Sequence, residues 1–202
     1  MAAELPRIVL ASGSPRRSEL LQQLGVEFTV APPDIDETER RGEAPIAYVR
    51  RVATEKAEAS PLAPGEVLIA ADTTVDVDGA ILAKPVDLDD ARRMLKLLSG
   101  RAHRVHTGVA VRYEGRMVAD VATAIVKMAP ITDDTMAWYL GTGEPMGKAG
   151  AYAIQGEAAA LVEGVQGHIT TVIGLPLGLL GDLFARLDLS LAAMIRPLGD
   201  GD

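Results

Sequence analysis

The feature that most constrains the fold is a pair of long apolar-rich segments, residues 103–113 and 117–128, which flank the turn residues Glu114-Gly115. Glycine permits the tight turn that joins two antiparallel strands. The pattern therefore predicts a long antiparallel hairpin, which a purely parallel, doubly wound sheet would not need. Because helices and strands alternate elsewhere, we expect a mixed α/β fold with α+β character, in which helices flank a central mixed sheet.

Hydrophobic spacing and turn residues predict the other elements. The expected strands are 8–11, 28–31, 67–71, 74–77, 80–83, 158–163 and 169–173, and the expected helices are 15–24, 45–60, 88–98, 132–140 and 176–187. Asp87 and Thr132 are typical helix caps, and Asp78-Gly79 indicates a second hairpin turn. We expect one domain over residues 1–190, followed by a mobile C-terminal tail over 191–202.

Composition excludes several classes of protein. The 202 residues carry a net charge of −8 and contain no cysteine, which excludes disulfides and cysteine-bound metals. An acidic chain is a poor general binder of nucleic acid. The start of the chain lacks the pattern of a signal peptide, and the most apolar stretch, residues 172–180, is too short to cross a bilayer. We therefore expect a soluble cytoplasmic protein that binds neither nucleic acid nor membranes.

A basic turn follows the first apolar run. Residues 12–15, Ser-Gly-Ser-Pro, end the strand and start a helix, with Ser14 as N-cap and Pro15 in the first turn. The helix dipole favours acidic residues there, yet Arg16 and Arg17 occupy the turn. A bound anion would explain them, because free N–H groups, guanidiniums and the Ser12 and Ser14 hydroxyls can cradle a phosphate. A solvated basic turn explains the residues equally well.

Four motifs occur in the order found in one family. They are A-S-G-S-P-R-R at 11–17, A-A-D-T-T at 70–74, Lys84-Pro85 and G-K-A-G-A-Y-A-I-Q-G at 147–156. With these motifs the chain resembles the Maf-type nucleoside triphosphate pyrophosphatases from about Ile8 to Leu187, and more closely the branch assigned to dTTP and UTP. The resemblance implies an elongated, two-lobed Maf/ITPase-like fold, whose central sheet supports the lobes and a cleft between them.

Asp72 follows the apolar run 67–71. Ligand sites open at the carboxyl ends of strands in α/β sheets, where a carboxylate can hold Mg²⁺ or a water. An aspartate at a strand end also commonly caps the next turn, so position alone leaves both interpretations open. The resemblance implies that Asp72 is the catalytic carboxylate, a general base toward the attacking water either directly or through a metal.

Five cations stand near loops or element ends of this acidic chain: Arg16, Arg17, Lys56, Lys84 and Lys148. Each lysine by itself is typical of a solvated charge, whereas the five together suit a triphosphate and its metal. The resemblance supports Lys56, in E-K-A, as a cation over the site. We expect the arginines to bind the phosphate chain and the lysines to neutralise the leaving pyrophosphate, with Lys84 among the catalytic residues.

The acidic segment D-I-D-E, residues 34–37, contains Glu37, which matches an acidic position of the family. Without that match the segment would fit a solvated loop equally well. The resemblance implies that Glu37 and Asp72 are metal ligands and that both take part in catalysis. Because only hard oxygen ligands are available, the expected cofactor is a divalent cation, Mg²⁺ or Mn²⁺.

Gln155, in Y-A-I-Q-G, carries an amide that can pair with the O4/N3 edge of uracil or thymine. In the family, the positions of Arg16, Thr73 and Gln155 are associated with the choice of base. The branch that acts on 7-methyl-GTP tends to carry Trp in the S-P-x-R segment and an acidic group near the position of Gln155. The residues of this chain favour the dTTP/UTP branch.

The resemblance implies hydrolysis of the α–β phosphoanhydride of dTTP and UTP to the monophosphate and pyrophosphate. It also implies a homodimer, removal of non-canonical or surplus nucleotides, and a link to septum formation and division arrest. Two alternatives stay open. A nucleotidyltransferase would need a second substrate, and a non-catalytic nucleotide sensor would bind the triphosphate and leave it intact.

Overall fold

The structure, a computed structural model, describes residues 5–195 and is built on a sheet of seven strands. The strands are β1 Arg7–Leu10, β2 Phe28–Val30, β3 Glu66–Val77, β4 Ala80–Leu82, β5 Ala102–Tyr113, β6 Arg116–Met128 and β7 Val162–Gln166. The helices are α1 Pro15–Gln23, α2 Pro45–Ala59, α3 Leu88–Leu98, α4 Asp133–Gly141, α5 Ile169–Ile173 and α6 Leu177–Ala185. Short 3₁₀ turns lie at Ala149–Ala151, Glu157–Leu161 and Ala192–Met194.

The sheet is mixed, which confirms the expected fold class. Its order is β2-β1-β3-β5-β6-β7, with β4 also paired to β3. β1 runs parallel to β2 and β3, and the remaining pairs are antiparallel. The predicted long hairpin is β5–β6, which pairs from Ala102↔Lys127 to Tyr113↔Arg116. Glu114 (φ 46°) and Gly115 (φ 74°) form its turn in the left-handed region.

The predicted break between the strands 67–71 and 74–77 is wrong, because both segments belong to β3 and Asp72 lies inside that strand, not at its end. Two further predicted strands are wrong. Residues 169–173 form α5, although a β-branched run favours a strand; the helix ends where Gly174 takes φ 123°. Residues 157–161 form a 3₁₀ turn, and β7 begins only at Val162. In the second case the turn is held from outside, because the Glu144 carboxylate accepts hydrogen bonds from the backbone N–H groups of Glu157 and Ala158.

The two faces of β3 pack against different elements. Leu68 and Ala70 pack with α2 residues Ala53 and Ala57 on one face. On the other face, the first half of β3 packs with α1 and α6, and the second half packs with α3 and α4. The boundary between these two clusters falls near Thr73, in the middle of the strand. This division corresponds to the two lobes expected from the sequence.

A gap in strand pairing lies at the same boundary. One edge of β3 pairs with β5 along its length. The other edge pairs with β1 up to Ile69 and with β4 from Val75 onward. Residues 70–74, which include Asp72, therefore have no strand beside them on that edge within the described part of the chain. A cleft opens there.

The end of the described chain packs on the body. Leu191 is buried, and Ile195 forms an antiparallel bridge with Val26. The rest of the predicted mobile tail, residues 196–202, lies outside the described residues. Within residues 5–195, no helix combines the length and the apolar character needed to cross a membrane.

Candidate active site

The cleft beside the unpaired edge of β3 has a volume of about 870 Å³. The predicted site residues that line it are Ser12, Arg16, Arg17, Glu37, Lys56, Asp72, Thr73, Lys84 and Gln155. Lys148 is not among the lining residues, although its neighbours Gly147 and Ala149 are. The fold thus brings together residues from the first turn, the acidic loop, α2, β3 and the segment before β7.

Two carboxylates and one ammonium group meet in the cleft: those of Asp72, Glu37 and Lys56. The Lys56 ammonium donates to Asp72 Oδ1 at 2.9 Å and to Glu37 Oε2 at 2.8 Å. Asp72 is 7% exposed and Lys56 is 6% exposed. Burial raises the pKa of the Asp72 carboxyl, and the nearby charges of Lys56 and Arg17 oppose that rise. A buried carboxylate that shares a lysine with a second carboxylate can hold a water or a cation.

Arg17 is fixed inside the protein. Its guanidinium donates to the Gly174 carbonyl at 2.8 Å, to Ser12 Oγ at 2.8 Å and to Thr73 Oγ1 at 3.2 Å. Burial lowers the pKa of Arg17, while the charge of Asp72 raises it. An arginine nevertheless stays protonated in proteins. Arg17 therefore places a fixed positive charge at the floor of the cleft, and several of its N–H donors are already used.

Thr73 faces the side of the sheet opposite to Asp72, as adjacent residues of a strand do. Its hydroxyl lies 2.9 Å from Thr107 Oγ1, which donates to the Thr171 carbonyl at 2.7 Å. Hydrogen bonds thus connect Arg17 to Thr73, Thr73 to Thr107, and Thr107 to the Thr171 carbonyl in α5. This arrangement ties the basic turn to the helix on the far side of the cleft.

The start of α1 differs from the expectation in one detail. Ser14 occupies the N-cap position, but its side chain makes no capping hydrogen bond. Instead, Ser12 Oγ accepts from the Ser14 N–H at 3.3 Å. Arg16 is partly buried, and burial lowers its pKa, opposed by the charges of Glu19 and Glu144. Arg16, unlike Arg17, makes no side-chain hydrogen bond within residues 5–195 and is the more available of the two arginines.

The loop that carries Glu37 is fastened to α2 by two side chains. The Tyr48 hydroxyl donates to the Glu37 carbonyl at 3.0 Å, and Arg51 donates to the Thr38 carbonyl at 3.1 Å. Arg51 also forms a two-point ion pair with Glu43, with both N–O distances 2.7 Å. These contacts hold the backbone of Glu37 beside Lys56.

The Arg51–Glu43 pair predicts a pH dependence of stability. The hydrogen bonds from Arg51 lower the pKa of Glu43 to about 2. A depressed carboxyl pKa stabilises the folded state above the unfolded pKa near 4.5, and this contribution is lost as pH falls toward 2. Glu43→Gln should therefore cost about 1–2 kcal/mol in free energy of unfolding at pH 7. The cost should shrink below pH 4.5, as measured by urea denaturation across that range.

A matched control is Glu66→Gln, because Glu66 pairs with the exposed Arg7 at 3.4 Å. Exposed pairs contribute about 0–1 kcal/mol, so this variant should lose little. A cost for Glu43→Gln that stays constant between pH 7 and pH 3 would show that the ion pair does not stabilise the loop.

Of the remaining predicted residues, Lys84 and Gln155 lie on the rim of the cleft, whereas Lys148 lies beside the cleft without lining it. Lys84, after β4, and Gln155 are exposed, and Gln155 lines the cleft between Ile154 and the Gly156 turn. Lys148 donates through Nζ to the backbone carbonyl of Glu144. Burial lowers the pKa of Lys148, and Arg16 lowers it further.

Two carboxylates of the cleft, Asp72 and Glu37, offer oxygen ligands to a divalent cation, and within the described residues no group of three or more His, Asp or Glu side chains is placed to bind one. Two carboxylates converge on the Lys56 ammonium, which itself shows that the position favours a positive charge. Within the described residues, Asp72 Oδ2 and Glu37 Oε1 have no hydrogen-bond partner. Free carboxylate oxygens, together with the phosphate oxygens of a substrate, are the ligands that Mg²⁺ and Mn²⁺ prefer.

Sequence reasoning missed several residues of the site. Tyr48 lines the cleft and holds the Glu37 loop, and the Gly174 carbonyl binds Arg17. Tyr48 could have been found, because it lies two i,i+4 steps before Lys56 on α2. Nothing in the local sequence indicates the role of Gly174, since its partner is 157 residues away.

Comparison with known proteins gives similarity over nearly the whole chain. The model of the Maf-like protein family matches residues 7–187. A protein of Anaeromyxobacter dehalogenans named dTTP/UTP pyrophosphatase is 52% identical over 186 residues, which cover 90% of this chain and 94% of the relative. Proteins of the same name from Bordetella parapertussis (50% identity, 88% and 90% covered) and Myxococcus xanthus (49%, 95% and 97%) are similar too.

Among solved structures, the Ham1 protein of Staphylococcus aureus has a TM-score of 0.44 at 17% identity, with 61% of this chain and 72% of that chain covered. This similarity is too low to support a functional comparison.

Proposed function

The chain belongs to the family of Maf-like proteins, and we propose that it is a nucleoside triphosphate pyrophosphatase that hydrolyses dTTP and UTP to the monophosphate and pyrophosphate. The observation that carries the proposal is the Asp72–Lys56–Glu37 centre, in which Asp72 and Lys56 are buried and which lies in a cleft lined by further cations. The relatives named dTTP/UTP pyrophosphatase support the choice of substrate. The removal of surplus or non-canonical nucleotides, a homodimer and a cytoplasmic location belong to the same proposal.

Asp72 acts as the general base. Its Oδ1 is held by Lys56, which leaves Oδ2 to accept a proton from water. The water oxygen then bonds to the α-phosphorus, the α–β phosphoanhydride bond breaks, and pyrophosphate leaves. The positive charge of Lys56 beside Asp72 favours the ionised carboxylate that this proton transfer requires.

The cations bind the phosphate chain and stabilise the leaving group. Arg17 supplies a fixed charge at the floor of the cleft, and Arg16 with the first N–H groups of α1 binds the phosphates. Lys84 at the rim and Lys148 beside the cleft neutralise the charge that develops on pyrophosphate. Gln155 pairs with the O4/N3 edge of the pyrimidine, while Arg16 and Thr73 contribute to the choice of base.

A divalent cation, Mg²⁺ or Mn²⁺, would be held by Glu37 Oε1 and Asp72 Oδ2. With the ion at Oδ2, Asp72 would act through the ion; without it, Oδ2 would accept the proton directly. When bound, such an ion lowers the pKa of a coordinated water and screens phosphate charge. Lys56, which contacts both carboxylates, keeps their side chains turned toward the same point of the cleft.

Product analysis tests the proposal. The protein is incubated with dTTP, UTP, CTP, 7-methyl-GTP and ITP, with Mg²⁺ and without an acceptor. We expect monophosphate plus pyrophosphate from dTTP and UTP, and little product after chelation of the metal. Release of inorganic phosphate would contradict the assigned bond. Product only in the presence of an acceptor would support a nucleotidyltransferase, and binding without product would support a nucleotide sensor.

A further inference from the structure

Glu144, in the loop after α4, has a carboxylate that holds together a segment next to the cleft. It accepts hydrogen bonds from Tyr139 Oη at 2.9 Å, from the Glu157 N–H at 2.7 Å and from the Ala158 N–H at 3.0 Å. The two backbone donors are free ends of a 3₁₀ turn that would otherwise lack partners. A partly buried carboxylate that accepts three hydrogen bonds is held in one position.

The Glu144 carboxylate also packs against the backbone of Gly156. A Cβ atom at Gly156 would stand 1.9 Å from Glu144 Oε2, so no other residue fits without displacement of Glu144. Glu144 therefore contacts three consecutive residues, 156–158. The residue before them is Gln155.

The orientation of the Gln155 side chain depends on these contacts of Glu144. Its exposed side chain lines the cleft and makes no hydrogen bond within the described part of the chain. Its direction is therefore set by its own backbone, which is anchored on one side by buried Tyr152 and Ala153 and on the other by Gly156. The contacts of Glu144 determine where the second anchor lies.

We propose that Glu144 is a positioning residue for base selection: its carboxylate fixes residues 156–158 and so aims the Gln155 amide at the pyrimidine. This inference rests on the proposed function, in which Gln155 reads the base. Lys148 donates to the backbone carbonyl of Glu144 and not to its carboxylate, so the hydrogen bond of Lys148 does not depend on the carboxylate. A change of the Glu144 side chain leaves that carbonyl in place.

A double-mutant cycle with Glu144→Gln and Gln155→Ala tests the inference. The glutamine keeps the size of the side chain, but its amide nitrogen cannot accept a hydrogen bond, so one backbone N–H loses its partner. Because a misplacement of about 1 Å can cost ~100-fold in rate, kcat/KM for dTTP should fall by roughly 10- to 100-fold. For dCTP the fall should be less than about threefold, since the phosphate contacts remain.

The decisive comparison is made in the Gln155→Ala background. If Glu144 acts through Gln155, adding Glu144→Gln there should change kcat/KM for dTTP by less than about twofold, because the two effects are coupled. Additive losses, or equal losses for dTTP and dCTP in folded Glu144→Gln, would overturn the inference. A Gln155→Ala protein that keeps its preference for dTTP would instead contradict the base-reading role in the proposed function.

A second variant keeps the inference testable if Glu144→Gln does not fold. Tyr139→Phe removes one donor to the carboxylate and leaves its charge and backbone contacts. We expect a smaller fall in the dTTP/dCTP ratio in the same direction. An unchanged ratio in folded Tyr139→Phe would overturn the inference.

Discussion

Asp72→Asn should reduce the turnover of dTTP by about 10²–10⁴-fold, because the variant loses the general base of the proposed mechanism and keeps the shape of the side chain. The amide oxygen can still accept from Lys56 Nζ, which donates to Asp72 Oδ1 at 2.9 Å in the native protein. The cations that bind phosphate are untouched, so the Kd for dTTP should stay within about threefold of the native value. Single-turnover kinetics and calorimetric titration measure the two quantities.

The variant should fold, because removal of a buried charge relieves the desolvation that raises the pKa of Asp72. Lys56 retains Glu37 as a partner at 2.8 Å. Glu37→Gln is the matched comparison, since its side chain is 42% exposed and shares the same lysine. If Asp72→Asn retains native turnover, Asp72 does not act as the base. A loss of binding as large as the loss of turnover would make Asp72 a binding residue.

The sheet could be predicted because its signals are local. Gly115 and Asp78-Gly79 mark the hairpin turns, and in the structure these residues have positive φ values. The caps of α3 and α4 are confirmed, since Asp87 accepts from the Asp90 N–H and Thr132 accepts from the Thr135 N–H. Each of these features depends on residues only a few positions apart, so composition and spacing are sufficient to find them.

Features that depend on distant contacts could not be predicted. The β-branched run 169–173 favours a strand locally, yet Thr107 binds the Thr171 carbonyl and the segment packs as a helix. The 3₁₀ turn 157–161 is held by Glu144, which lies 13 residues from Glu157. In both cases tertiary contacts outweigh intrinsic propensity, which differs between residues by only ~1 kcal/mol.

In the candidate site, too, features with a local signal could be predicted and features that depend on distant contacts could not. The position of Asp72 after an apolar run, and of Arg16 and Arg17 against the helix dipole, makes them candidates, and the resemblance to the family assigns them to the site. The structure adds that Lys56 is buried against two carboxylates, which spacing alone did not distinguish from a solvated lysine. It also separates the arginines: Arg17 is 8% exposed and bound to protein acceptors, whereas Arg16 is partly buried and has no such partner within residues 5–195.

Lys56→Met should destabilise the protein by about 3–5 kcal/mol, the usual cost of leaving a buried charge without its partner. Asp72 is 7% exposed, so water replaces the charge of the lysine only in part. Arg17 cannot move to pair with it, because the guanidinium is held by Gly174 and Ser12. The loss should appear in urea denaturation at pH 7 as a lower midpoint with an unchanged slope.

The double variant Lys56→Met/Asp72→Asn separates this cause from a loss of packing. Methionine keeps most of the apolar stem of lysine, which packs along α2, so the hydrophobic contacts change little. Without the carboxylate charge, the double variant should regain most of the lost stability, and the two substitutions should be coupled by at least ~2 kcal/mol. If the double variant is as unstable as Lys56→Met, the lysine contributes through packing. In that case the buried ion pair does not hold the centre of the cleft together.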